Sequence, residues 1–154
     1  MSYGPDYSAT AKSLDNKRLG KQRVETYQIL RALLGESKGW TNHPATKMWR
    51  GHEFQLYEYQ TAICAEWSRR GFKDTVMQST RNLILDKGVR PTYNPPDWTK
   101  TQALAITHRA NLYIKDPIYY AKFEDEAKVY TDYVCCPETC KYWWYTHTEG
   151  SISG

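Results

Sequence analysis

The chain has 154 residues, 40% of them hydrophobic and 25% charged, with a net charge of +4 and a pI near 8.8. That length suits a compact domain with a real core, and the balance excludes a disordered tail. No apolar run approaches the roughly 18–20 residues of a membrane span. The opening "MSYGPDYSATAK" lacks the basic-then-apolar layout of a signal peptide, so a cytoplasmic protein is expected, and its mild positive charge favours polyanion partners.

Taken along the chain, helical periodicity runs from about Ser13 to Leu34, where Gly35 stops it. Leu19, Tyr27, Leu30, Leu33 and Leu34 share one face of this helix, and Lys17, Arg18, Lys21, Glu25 and Gln28 gather opposite. Arg23 projects into the apolar side. In the loop "GESKGWTNHP", Pro44 suits a first helical turn capped by Asn42 or His43. A second helical region spans about Pro44 to Arg70, carried by Leu56, Tyr59, Ile63 and Trp67, with Gly51 breaking or bending its start. Its end, "RRGF", puts basic residues in the last turn and Gly71 at the left-handed cap.

A third helix is expected over Asp74–Lys87, capped by Gly88, followed by a rigid proline-rich loop, "VRPTYNPPDW". A fourth runs from Thr99 to about Lys115 and is stopped by Pro117. From Glu124 the periodicity fades into a segment containing "KYWWY". The expected architecture is all-α: a helical domain over residues 1–123, with an irregular aromatic C-terminal extension, residues 124–154, packed on it.

The chemistry-bearing residues are few in kind. Cys135, Cys136, Cys140 and His147 are four donors of the type zinc accepts, but they lack the C-x2-C spacing that makes such a site strong, so reduced thiols and no metal or cofactor are the expectation. There is no phosphate-cradling glycine loop, no H-E-x-x-H pair and no nucleophile-elbow serine. Glu25 on its own reads as an exposed i,i+4 partner of Lys21, worth a few tenths of a kcal/mol. The basic stripe on its own reads as a solvated face. The 13 Tyr, 6 Trp and 3 Phe suit either a packed core or base stacking.

Several stretches together resemble the pyrimidine dimer DNA glycosylase (endonuclease V-like) family, and most closely its uncharacterised bacterial branch: "LDNKRLGKQRVE" (14–25), "NHPATKMWRGHE" (42–53), "AEWSRRGF" (65–72) and "HRANLYIKDPIYYAKF" (108–123). The resemblance covers about residues 7 to 123. It implies a single compact helical bundle whose amino terminus is threaded close to the first helix. It also implies a DNA-repair glycosylase with associated AP-lyase activity on pyrimidine dimers or another altered base, with no cofactor. In that chemistry the α-amine of the mature chain attacks C1′ of the damaged nucleotide, releases the base and leaves an imine, and β-elimination then cuts the strand.

By position, the catalytic pair implied is Ser2 and Glu25. Ser2 is small enough that removal of Met1 is expected, and an α-amine is about a fifth to a third neutral near pH 7.4, against about one part in a thousand for lysine. A carboxylate is needed beside it to stabilise the cationic sugar and imine. The implied nucleic-acid contacts are Lys17, Arg18, Lys21, Arg23, His43, Arg50, His108 and Arg109. The implied partner is double-stranded DNA, and the expectation is a monomer that works at the nucleoid.

Three departures stand beside the resemblance: Val24 directly precedes Glu25 where the family's characterised phage member has an arginine, Ser2 replaces that member's threonine, and most of the bacterial branch begins a few residues further upstream. An internal salt bridge, such as one to Asp116, competes with phosphate for Arg109. Two other functions fit the same residues. One is a non-catalytic or repurposed nucleic-acid-binding domain on this scaffold, and the other is an enzyme acting on a nucleotide-like small anion.

Overall fold

The computed structural model describes residues 2–133, and every regular element among them is helical. Backbone contacts divide them into two compact units, one of residues 6–96 and one that joins residues 2–5 to 97–133.

The larger unit opens with a helix that the sequence did not announce. α1 (Tyr7–Ser13) has only seven residues and no apolar stripe, so periodicity is silent there; it is started by Asp6, whose carboxylate accepts from the Ala9 amide at 2.9 Å. Leu14 then turns extended, which separates α1 from α2 (Asn16–Leu33) and moves the start of the basic helix three residues on from the expected Ser13. Leu19, Thr26, Ile29 and Leu30 form the buried face of α2.

That face lies along α4 (Glu53–Arg69), which buries Leu56, Tyr59, Gln60, Ile63 and Cys64. The two helices approach closely at Gly20, where an added Cβ would stand 3.0 Å from the Trp67 ring. Trp67 cannot easily give way. It stacks on Phe72 with centroids 4.3 Å apart, and its Nε1 donates to the Lys73 carbonyl at 3.2 Å.

The expected helix over Pro44–Arg70 is two helices, and Gly51 is the reason. α3 (Pro44–Trp49) is capped by His43, whose Nδ1 accepts from the Ala45 amide at 3.0 Å, with Pro44 in the first turn where its missing N–H costs nothing. Gly51 then takes a φ of +85°, a left-handed conformation that stops the helix before α4 begins. α5 (Met77–Asp86) starts later than the expected Asp74 because Asp74 stays outside as an acceptor for the Val76 and Met77 amides, at 3.1 and 3.0 Å.

The "AEWSRRGF" stretch holds the C-terminal end of α4 to its neighbours. Glu66 is buried and receives Arg69 Nε at 2.7 Å and Arg70 Nε at 2.7 Å. Arg70 also reaches Asn16 Oδ1 at 3.0 Å and the Lys12 carbonyl at 3.2 Å, so one side chain ties α4 to the ends of α1 and α2. Hydrogen bonds from Arg69 foremost, and from Arg70, outweigh burial and bring the Glu66 carboxyl down to about 2.

In the smaller unit, a 3-10 turn (Asp97–Lys100) leads into α6 (Gln102–Lys115), and a second turn (Ala121–Phe123) leads into α7 (Glu124–Tyr133). α6 and α7 meet at Ala110 and Ala127, two small residues that let the backbones approach, with Tyr113 packed beside them. Trp98, Leu104, Tyr120 and Phe123 are buried in the same unit. α7 corrects the expectation of irregular chain from Glu124. Glu124, Asp125 and Glu126 fill its first turn, where the helix dipole favours negative charge, and this start signal does not depend on apolar periodicity. The "KYWWY" run and the zinc question at Cys135, Cys136, Cys140 and His147 lie outside the described residues. No helix among the described residues is long and apolar enough to cross a membrane.

Candidate nucleic-acid site

In the larger unit the exposed side of α2 carries most of the residues singled out in the sequence. Glu25 is 27% exposed, and Lys21 reaches it at 3.6 Å from the preceding turn while remaining 74% exposed itself. Lys17 is exposed one turn further back. Arg18, on the same helix, turns to the Asp15 carboxylate, with Nη1 at 3.3 Å from both oxygens.

α4 supplies a tyrosine that feels the Glu25 charge. Tyr59 is buried, its ring stacked against Trp49 at 6.0 Å and edge-on to Tyr7 at 5.5 Å. Burial raises the Tyr59 phenol, and the Glu25 carboxylate adds to the rise, as does Tyr7. The phenol therefore stays protonated in the field of the Glu25 charge. Tyr7 is pushed up to about 12, by burial and then by Glu58. Its hydroxyl donates to Gln55 Oε1 at 2.9 Å, and Gln55 Nε2 donates on to the Thr92 carbonyl at 2.6 Å. Sequence reasoning took Tyr59 only as a core residue and passed over Tyr7, because neither periodicity nor composition says which polar group a core tyrosine will meet.

Arg23 is placed differently from the other bases of α2. Its side chain is 13% exposed, Nη1 donates to Asp74 at 2.8 Å, and its guanidinium carbon stands 4.9 Å from the Trp67 ring centroid. Burial works to raise the Asp74 carboxyl, but the two amides at the start of α5 and the Arg23 guanidinium lower it on balance. Arg23 thus joins α2, α4 and α5. His43 and Arg50 lie at the two ends of α3, both exposed, with the His43 ring 4.8 Å from that of Trp40. The buried Cys64 thiol is pushed up to about 12 by burial and by the Asp74 charge, which leaves it inert at neutral pH.

The remaining three residues belong to the smaller unit. Ser2 is 1% exposed, and its carbonyl accepts from Arg109 Nη1 at 2.5 Å. Arg109 ion-pairs through Nε with Glu126, rather than with Asp116. His108 is partly covered, with Nε2 shielded from solvent, and burial lowers its imidazole pKa well below the usual histidine range, so it is neutral at pH 7. The structure thus brings Lys21 to Glu25 in one unit and Arg109 to Ser2 in the other.

The described residues are all-helical, and their long basic helix carries a half-buried carboxylate among exposed cations, a surface suited to a polyanion. The chain belongs to the pyrimidine dimer DNA glycosylase family, whose family model matches residues 3–80. The matched stretch includes α1 to α4 and the start of α5, and with them Glu25 and its basic surroundings. Membership makes DNA the class of partner. No curated protein and no solved structure matches the chain.

Proposed function

We propose that the protein is a DNA-repair glycosylase with associated AP-lyase activity on pyrimidine dimers or another altered base in duplex DNA. In this reading Glu25 is the catalytic carboxylate and the Ser2 amine, freed by removal of Met1, is the nucleophile. The amine lone pair forms a bond to C1′, the glycosidic bond breaks, and the released base takes the electron pair and a proton. The C1′–O4′ bond of the adduct then opens, O4′ taking a proton as the nitrogen's lone pair forms the C=N bond. The resulting imine loses a proton from C2′ and expels the 3′ phosphate through cleavage of the C3′–O bond. Glu25 offers negative charge to the sugar while it is cationic and can accept the shifting proton. The protein acts as a monomer inside the cell, at the nucleoid.

The observation that carries this reading is the setting of Glu25. It sits half-buried on α2 inside the matched stretch, paired with the exposed Lys21 on a helix face that also carries the exposed Lys17. Its charge also reaches the buried, protonated Tyr59. Lys17, Lys21 and Arg50, all exposed, are the residues we assign to phosphate, with the exposed His43 as a further contact. Arg18 joins them on exchanging Asp15 for a phosphate. Arg23 and Arg109 act within the fold.

Ultraviolet-irradiated and undamaged duplexes, incubated with the protein and with Glu25→Gln, provide the test. Incision of irradiated duplex alone, lost in the variant, is expected. Duplex binding without incision by either form would replace the glycosylase with a non-catalytic DNA-binding domain, and competition by mononucleotides would point to a small-anion enzyme.

A further inference from the structure

The surroundings of Arg109 suit a task other than gripping DNA. Its side chain is 17% exposed, and its donors are divided between the Glu126 carboxylate of α7 and the Ser2 carbonyl. Its guanidinium carbon lies 5.6 Å from the Tyr3 ring centroid, and that ring in turn lies 6.2 Å from the Phe123 ring. Gly4 completes the attachment. Its φ is +58°, and an added Cβ would stand 2.7 Å from the Thr99 carbonyl oxygen, so the backbone at this point is pressed against residue 99. Three successive residues near the amino terminus are therefore fastened to a segment about a hundred positions further along the chain.

We infer that Arg109, itself held by Glu126, is a positioning residue for the amino-terminal nucleophile. This rests on the reading of the Ser2 amine given above. The carbonyl that Arg109 holds and the nitrogen that attacks belong to one residue, so fixing the first narrows where the second can point. A charged donor on a backbone carbonyl makes a strong restraint. Orientation of this kind is a large part of what separates a reacting pair from two groups that merely meet. Glu126 has a second effect. By neutralising the guanidinium it lets the restraint act without leaving an uncompensated cation beside the amine.

The test compares the full chain with Arg109→Gln and with Glu126→Gln, the second keeping the question open should the first fail to fold. Amide hydrogen exchange at Tyr3 and Gly4 reads the clamp directly, and both variants should exchange about tenfold faster there with α6 unchanged. Borohydride trapping on a duplex with an abasic site reads its purpose. At saturating duplex the trapping rate should fall about tenfold or more in the variants while duplex Kd stays within about twofold, and Arg109→Lys should restore part of it. Unchanged exchange overturns the clamp. Weaker duplex binding, with a salt slope reduced by about one and an unchanged trapping rate, makes Arg109 a phosphate contact and overturns the proposal. No adduct from the unaltered chain removes the nucleophile reading and this proposal with it, while the exchange comparison still decides whether the clamp exists.

Discussion

Glu25 and Gly20 stand five positions apart on α2 and face opposite demands. Glu25 is exposed enough to meet a ligand, and its replacement by glutamine removes charge with almost no change of shape. Strand incision should fall about 100-fold or more while the melting temperature moves little, as a proton-transfer and charge-stabilising role requires. Gly20 has no such freedom. In an open helix an alanine would be favoured over glycine by about 1 kcal/mol, but here the new methyl group meets a Trp67 ring that is stacked on Phe72 and hydrogen-bonded at Nε1. Gly20→Ala should therefore destabilise the chain by about 1–2 kcal/mol in chemical denaturation. At this scale the sequence was partly legible. The basic face of α2 and the inward turn of Arg23 follow from helical angles alone. That Arg23 would find Asp74, or that Tyr59 would feel the Glu25 charge, depends on pairings between distant segments that no periodicity encodes.

Among the elements, the end of α4 shows how a charge cluster can serve the fold. Glu66 has its carboxyl at about 2 in the folded chain, against an ordinary value near 4.5. A depressed carboxyl contributes stability that is fully present above its unfolded value and is lost as pH falls through the folded one. Acid titration should thus weaken the fold between about pH 4.5 and about pH 2. Glu66→Gln should flatten that part of the curve and cost about 2–3 kcal/mol at pH 7, a figure discounted because Arg69 is largely exposed. Asp74→Ala should lower the stability of the α2–α5 joint by about 1–2 kcal/mol, since it removes both the cap of α5 and the partner of Arg23. Helices were legible where an apolar stripe ran for several turns, as in α2, α4 and α6. α1 was missed because its seven residues, YSATAKS, are too few and too mixed to show an apolar stripe. α7 was missed because its start is written in acidic residues, and among its described positions only Ala127 is buried.

For the whole molecule, a net charge of +4 is modest, and attraction to DNA depends on where the cations lie. Lys21→Gln and Arg50→Gln should each reduce the slope of log affinity against log salt by about one, whereas Arg23→Gln should leave that slope unchanged and lower stability instead. Three of the four stretches that carried the resemblance lie inside the matched residues 3–80, and they include structural joints as well as candidate chemistry. "AEWSRRGF" is the clearest case, because Arg70, held by Glu66, braces the end of α4 against α1 and α2.

The account turns on an amine at Ser2 forming a covalent bond with DNA. Borohydride reduction during reaction with an abasic-site duplex, followed by mass spectrometry of the adduct, measures this directly. The sugar should be found on the nitrogen of Ser2, from chain that has lost Met1, and adduct formation should collapse in Glu25→Gln. An adduct carried by a lysine, or no adduct from chain that binds the duplex well, would contradict it.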